Sequence, residues 1–371
     1  MKRLLFVTPN PVESASERYR IYQFVPYLES AGFECEVRPF AARELFQAVQ
    51  MGRMSSQLFY APLSCLRRAV DVYAIPRYDM VVIHREAFPF FCPTVERMVL
   101  RRHSRVVFSF DDAIYAGHRD TPNKKYPWIY KMKYGPGVNE VLAKSAHVIA
   151  GSQTLAEHAR QFNTQVSVIP TVVDAQRYGC RAPAPSGESL TIGWVGTRST
   201  SPYLLDVVPA LQRLSEVFRG KIRFRMYGDP QLKLPLPNYE PLPFSLGSEI
   251  EDLRRIDIGI MPMPDNEWTQ GKCAFKAIQY MALGIPTVSS PVGMASEIIK
   301  HNVNGLLSRT PTEWFEALAG LMRDAGLRRR LAEEGRRTVE AYYSLEVWAP
   351  RFAGLLDTIL TRMPVTRCAA D

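Results

Sequence analysis

The segment GKCAFKAIQYMALGIPTVSS (Gly271–Ser290) reads as an apolar helix feeding a strand, yet it carries Lys276 near its start and Gln279 one turn later. The preceding DNEWTQGK is rich in turn-forming residues, which places Lys276 in the first helical turn. Free amide hydrogens and the helix dipole already favour an anion there, so a cation costs a few tenths of a kcal/mol unless a phosphate or carboxylate joins it. A solvated lysine is the plain reading, and an anion site the chemical one. In SFDDAIY the adjacent carboxylates Asp111 and Asp112 follow a strand-like run, where a pair of this kind either ligates a metal or positions and activates a hydroxyl. In VVIHREAFPF, His84 ends another such run, a place equally suited to a structural and to a ligand-facing imidazole.

These residues must be carried by alternating strands and helices. RLLFVT, FECEV, YDMVVIH, RVVFSF, SAHVIAGS and VSVIP are short β-branched runs, several apolar throughout, as in parallel strands buried on both faces. Between the first two lies YRIYQFVPYLESAG, whose Ile21, Phe24, Val25 and Leu28 recur at helical spacing up to a stop at Gly32. Near 178–189 the sequence YGCRAPAPSGES loses periodicity and reads as a linker. A second α/β series follows, with strands at LTIGWVG, IRFRMYG, IDIGIMPM and IPTVSS, while the proline-rich stretch 229–243 reads as an ordered loop. In the helix after Gly271, Ala274, Ala277, Ile278, Met281 and Ala282 share one face and Lys276, Gln279 and Tyr280 the other. The tail YSLEVWAPRFAGLLDTIL is a final amphipathic helix that Pro350 should start or kink.

A chain of 371 residues exceeds what one core usually serves, roughly 100 to 200 residues per domain, and two domains are expected. The expected division is residues 1–183, residues 184–345 and a C-terminal helix 346–371 packing back on the first domain. No apolar run approaches the roughly 18 residues of a membrane span, and the short run after Met1 does not match a signal peptide, so a cytoplasmic protein is expected. Six cysteines lie far apart without paired spacing, which argues against a zinc site or a disulfide framework. The net charge of +9 comes without any nucleic-acid-binding motif, which leaves anionic small molecules or lipid headgroups as partners.

From Trp268 to Leu307 the pattern W...GK..FK..QYMALGIPTVSSPVG...EII.....NGLL resembles the donor-binding signature of family-four retaining glycosyltransferases of the GT-B fold. ASERYRIYQFVPYLESAGFE, IAGSQTLAEH, VIPTVVDAQRY and YSLEVWAP resemble other segments of that group more loosely. The resemblance implies two Rossmann-like domains with parallel sheets facing a cleft. It also implies transfer of a sugar from a nucleotide-diphosphate sugar, UDP-linked first among them, to an acceptor hydroxyl with retention. Small-molecule, lipid-linked and glycan acceptors all fit, no cofactor or metal is called for, and oligomeric state is left open. Two rivals share the fold: a nucleotide-sugar epimerase and a non-catalytic nucleotide-binding partner.

Position by position, the resemblance implies that Gln279 replaces the glutamate that bonds the donor ribose. Gly271 stands where the family has a sugar-contacting glutamate, so that role passes to backbone amides or to Asp265 or Glu267. Arg198 takes the place of the cation after the first strand of the second domain, and Lys276 that of the diphosphate-binding lysine. Thr197, Ser199 and Thr200 can bond phosphate or cap a helix starting at Pro202. Gly293, Met294 and Ala295 open a helix whose amides could cradle the diphosphate, and Glu297 matches the acidic residue of that loop. His84 matches a cleft histidine that approaches the transferred sugar, one of Asp111 and Asp112 would position the acceptor, and Arg18 and Arg20 lie on the acceptor or phosphate side unless simply exposed. Finally, the stretch 46–78 mixes apolar residues with Arg53, Arg67, Arg68 and Arg77, which suits either core helices with snorkelling arginines or a peripheral helix at the inner membrane face.

Overall fold

The computed structural model describes residues 1–89, 93–116, 136–180 and 189–362. The chain divides into two compact units, Met1–Thr171 with Trp348–Asp371, and Val172–Val347. The boundary expected at 183/184 lies outside the described residues, and packing divides the chain earlier, after Thr171.

The first unit is built on six parallel strands: β1 (Lys2–Thr8), β2 (Phe33–Pro39), β3 (Met80–His84), β4 (Val106–Phe110), β5 (His147–Ala150) and β6 (Val166–Val168). Their order is β2-β1-β3-β4-β5-β6. The strand order reverses between β1 and β3, and the carboxyl ends of those two strands form the crevice where such sheets gather ligands. β3 and β4 are buried along their whole length, in keeping with their mostly apolar sequences, His84 and Ser109 being their polar members. The helix Leu345–Arg362 closes this unit from Trp348 onward, with Phe352 edge-on to Phe24 at 5.0 Å and Asp357 paired with Lys2. Pro350 neither starts nor ends that helix, because in its second turn proline forfeits a single intrahelical bond.

The second unit repeats the plan with β7 (Leu190–Val195), β8 (Ile222–Tyr227), β9 (Tyr239–Leu242), β10 (Ile258–Met261), β11 (Thr287–Ser289) and β12 (Leu306–Leu307), ordered β12-β11-β10-β7-β8-β9 and again all parallel. Here the order reverses between β7 and β10. The stretch 229–243 is not wholly loop: β9 lies within it, and Pro241 is tolerated because β9 is an edge strand. Gly228 turns the chain after β8 at φ +109°, where a Cβ would fall 1.8 Å from the Gly196 carbonyl oxygen. Only glycine lets the ends of β7 and β8 approach so closely.

Two helices depart from their sequence reading. The helix Phe275–Ala282 is not two-faced, for every residue from Ala277 onward is buried and Tyr280 is fully enclosed. Its ring packs against Gly259, and its hydroxyl accepts the Val195 amide at 3.0 Å, which ties the helix to the end of β7. The long helix Met54–Ala74 buries Ser64, Arg68 and Asp71, while most of its large apolar side chains are exposed. Arg68 donates to the carbonyls of Thr8 and Arg38 and pairs with Asp71 at 3.2 Å, so its charge is used to hold the end of β1. Burial pushes its guanidinium down to about 10. The stretch is mixed: Val72, Ala74 and Ile75 are buried and Tyr60, Ala61 and Cys65 pack against the core, while the other large apolar side chains of the helix face outward.

Candidate functional site

In the first unit, the loops after β1, β3 and β4 bring together three residues far apart in sequence. His84, wholly buried at the end of β3, lies with Nε2 2.8 Å from the Ser16 hydroxyl. Ser16 in turn donates to Asp111 Oδ2 at 2.6 Å. Burial, with Arg20 and Arg85 nearby, pushes the imidazole down to about 3, so it is neutral at physiological pH. Burial alone would raise the Asp111 carboxyl, but His84, Arg85, Arg20 and the Ser16 hydroxyl together hold it below its ordinary value. An ionised Asp111 accepts the serine proton, and Ser16 must then accept from His84, which fixes the Nε2–H tautomer. His84 is thus joined to Asp111 through Ser16, with its ring enclosed.

Arg85 completes the cluster. Its φ of 62° is left-handed, a conformation that costs a non-glycine residue about 1–3 kcal/mol and is found where the fold demands it. The turn carries its guanidinium to Asp111 at 3.9 Å and Asp112 at 3.5 Å. The two carboxylates are therefore paired with an arginine. Glu17, fully buried, accepts from Asn10 Nδ2 at 3.0 Å, and burial raises its carboxyl.

Arg18 and Arg20 are buried, not exposed. Arg18 folds back onto the carbonyls of Val12 and Glu13, both at 3.1 Å, and shapes the loop after β1. Arg20 donates to the Ile169 carbonyl and to the Ser109 hydroxyl, joining the ends of β4 and β6. Each spends its guanidinium on main-chain carbonyls outside the helix Ala15–Arg20.

In the second unit the chemistry gathers at the ends of β7 and β10. Ala274, left-handed at φ 49°, sets the start of the helix Phe275–Ala282 and puts Lys276 in its first turn. The half-buried ammonium of Lys276 lies 3.5 Å from the Thr200 hydroxyl and 5.0 Å from the Trp194 ring centroid. Arg198 is half exposed and reaches Asp229 at 3.6 Å, the same carboxylate that accepts from Ser201 at 2.6 Å. Thr197 and Ser199 share a hydroxyl contact of 2.7 Å at the surface. None of these hydroxyls caps a helix: the chain passes into a 3₁₀ segment, Ser201–Val207, and Thr200 instead accepts the Thr197 amide.

Gln279 is buried, and its amide nitrogen donates to the Tyr178 hydroxyl at 2.8 Å and to Glu249 at 2.9 Å. The amide cradle at Gly293, Met294 and Ala295 is largely closed. The Gly293 amide donates to the Gln270 side chain at 3.0 Å, and that of Ala295 to the Val292 carbonyl at 3.2 Å. At φ +53°, with a Cβ position 2.5 Å from the Gln270 carbonyl, residue 293 has to be glycine. The side chains of Met294 and Ala295 are buried, and Glu297 is exposed. Gly271 is buried at the end of the turn Glu267–Gln270, and Asp265 and Glu267 are both exposed beside it.

Sequence reasoning missed Ser16, Tyr178, Asp229 and Glu249. Each is an ordinary polar residue locally, and its partner lies 28 to 101 positions away. Among the described residues no group of three or more acidic, histidine or cysteine side chains could hold a metal ion.

Two all-parallel six-stranded sheets, each with its polar residues at a reversal of strand order, define the GT-B class of glycosyltransferases. Residues 189–324 match the model for glycosyl transferases group 1, and residues 19–177 that for glycosyltransferase family 4. The chain belongs to the family-four-like glycosyltransferases. No curated protein sequence matches it. Among solved structures it is similar to a sucrose-phosphate synthase from Thermosynechococcus elongatus, with a TM-score of 0.69 and 12% identity over 98% of this chain and all of the other. A glycosyltransferase from Rickettsia africae gives a TM-score of 0.66 and 17% identity over 98% and 99% of the two chains. Anabaena HepE in complex with UDP-glucose gives 0.64 and 17% over 96% and 100%.

Proposed function

We propose that this glycosyltransferase moves a hexosyl group from a UDP-sugar to an acceptor hydroxyl, with retention at the anomeric carbon and without a metal ion. The observation that carries the reading is the placement of Lys276. The fold brings its ammonium, the Thr200 hydroxyl and a helix start together where the strand order of the second sheet reverses. As a sugar leaves, negative charge grows on the diphosphate, and fixed positive charge there lowers the barrier. Arg198 extends the same positive field from the loop after β7. Tyr178 and Glu249 fix the orientation of the Gln279 amide, which leaves its carbonyl oxygen to accept from a ribose hydroxyl. The solved complexes of similar proteins with UDP and UDP-glucose support the choice of donor.

In the first unit, Asp111 is the group suited to position the acceptor hydroxyl, held ionised by its arginine and serine partners. Arg85 beside both aspartates supports the metal-independent reading, because a guanidinium at that place repels a divalent cation. With retention, the leaving phosphate takes the acceptor proton, and Lys276 stabilises that phosphate before and after. The test is to incubate the protein with a panel of nucleotide sugars and measure nucleoside diphosphate release with and without candidate acceptors. Release of UDP that requires an acceptor is expected. Release without an acceptor, or binding without turnover across the panel, overturns the proposal.

A further inference from the structure

The helix Met54–Ala74 buries Ser64, Arg68, Asp71, Val72 and Ala74 but leaves most of its large apolar side chains exposed. Phe59, Leu63, Leu66, Val70 and Tyr73 are 51–72% exposed and recur every three or four residues, so they form one continuous stripe along the helix, with exposed Leu58 beside it. Met54 at the helix start and Met51 before it are exposed as well. The opposite face spends Ser64, Arg68 and Asp71 on the interior. A helix of 21 residues is about 31 Å long, so the stripe is far larger than the scattered exposed apolar residues of ordinary surfaces.

The charges around the stripe say what covers it. Between residues 43 and 77 the exposed ionised side chains are Arg43, Arg53, Arg67 and Arg77 against the single Glu44, since Asp71 is buried against Arg68 and Arg38. Arg43 pairs with Glu13 at 3.1 Å and Arg67 donates to the Pro39 and Phe40 carbonyls at 2.8 Å each, so Arg53 and Arg77 are the charges that flank the stripe, and the helix carries no exposed carboxylate. A second copy packed on this face would bring Arg53 and Arg77 to its rim against Glu44 as the segment's one exposed acid, and Pro62 interrupts the helix in its middle. An anionic lipid surface supplies what the face lacks: an apolar phase for the stripe and phosphates for the rim. We propose that the first unit docks on anionic membrane through the helix Met54–Ala74, lying in the plane of the interface. The helix does not span: no helix among the described residues is long and apolar enough to cross a bilayer.

The test uses the full-length protein and vesicles of phosphatidylcholine alone or mixed with phosphatidylglycerol, read by co-sedimentation. Stronger binding to the anionic vesicles, weakened by salt, is expected. The pair Arg53→Gln and Arg77→Gln should lower partitioning onto anionic vesicles by about tenfold or more, at roughly fivefold per basic residue. The pair Leu66→Asn and Val70→Asn should lower it by at least about tenfold on both compositions, with an unchanged thermal midpoint because both side chains are exposed. Nucleotide binding to soluble protein is unaffected by either pair, which separates this proposal from the assignment of the donor site. It is overturned if vesicle binding is absent, if neither pair changes it, or if the stripe variants instead abolish a concentration-dependent dimer that does not bind vesicles.

Discussion

The polar groups at the strand ends of the first unit are bonded mainly to one another, whereas those of the second unit are gathered around a cation. His84, Ser16 and Asp111 form a chain of hydrogen bonds closed off by Arg85, with His84 wholly buried. Lys276 is half buried, touches a hydroxyl at the limit of hydrogen-bond distance and an aromatic face, and is flanked by the exposed Arg198, Thr197 and Ser199. On the proposed function the contrast matches what each would meet. A neutral hydroxyl is oriented by a fixed, ionised carboxylate whose own position is locked by its neighbours. A diphosphate brings its own charge, which a cation beside a hydroxyl and a helix start is suited to meet. Both units place a left-handed residue other than glycine at the centre, Arg85 in one and Ala274 in the other, so each accepts local backbone strain to aim its site.

The comparison breaks most sharply at Lys276. Lys276→Met should lower turnover of the donor by about 100- to 1000-fold, the usual effect of removing one group that stabilises transition-state charge, and should weaken UDP binding in calorimetry. Unchanged UDP affinity and turnover would show that the cation faces solvent only. Asp111→Asn should cost about 100-fold in turnover while leaving UDP affinity as it is, because the proposed function puts this carboxylate on the acceptor side. Equal losses of donor affinity in both variants would erase the division of labour.

A smaller effect sharpens the contrast through pH. An unfolded histidine titrates near ~6.5, while folded His84 stays neutral until about pH 3. Between those values the unfolded state binds a proton that the folded state refuses, so this residue makes stability fall as pH falls. Buried Glu17 and Glu96, the latter pushed up to about 7 by burial, work in the opposite direction, so the difference between variants is the informative quantity. His84→Asn should gain on the unmodified protein by about 1.4 kcal/mol for each pH unit between ~6.5 and ~3. The measurement is hydrogen exchange of peptides from β3 and β4 at pH 7 and pH 5. The second unit, whose sole histidine is His301, should show no such difference. A pH-independent offset in β3 and β4 would mean that His84 is already charged in the folded protein.

Ten of the twelve strands were legible as short apolar or β-branched runs: β3, β4, β5, β7, β10 and β11 are buried along their whole length, and even the partly buried β2, β6 and β8 keep enough of that pattern. The two that were not, β9 and β12, are an edge strand carrying a proline and an edge strand of two residues. Lys276 was legible too, because a cation in a first helical turn is a local anomaly. The burial of Arg18 and Arg20 was not, since a guanidinium bonded to distant carbonyls looks the same in sequence as one in water.

The order of apolar and polar residues was enough to determine two parallel α/β sheets and to put His84, Asp111 and Lys276 at strand or helix ends, because those features follow from periodicity within a few residues. Tertiary structure alone decided that Ser16 links His84 to Asp111, that Gln279 meets Tyr178 and Glu249, and that the helix Met54–Ala74 turns its leucines outward. Those outcomes depend on which distant chain segments become neighbours, and hydrogen bonds and burial are settled between neighbours in space, which local sequence spacing does not encode.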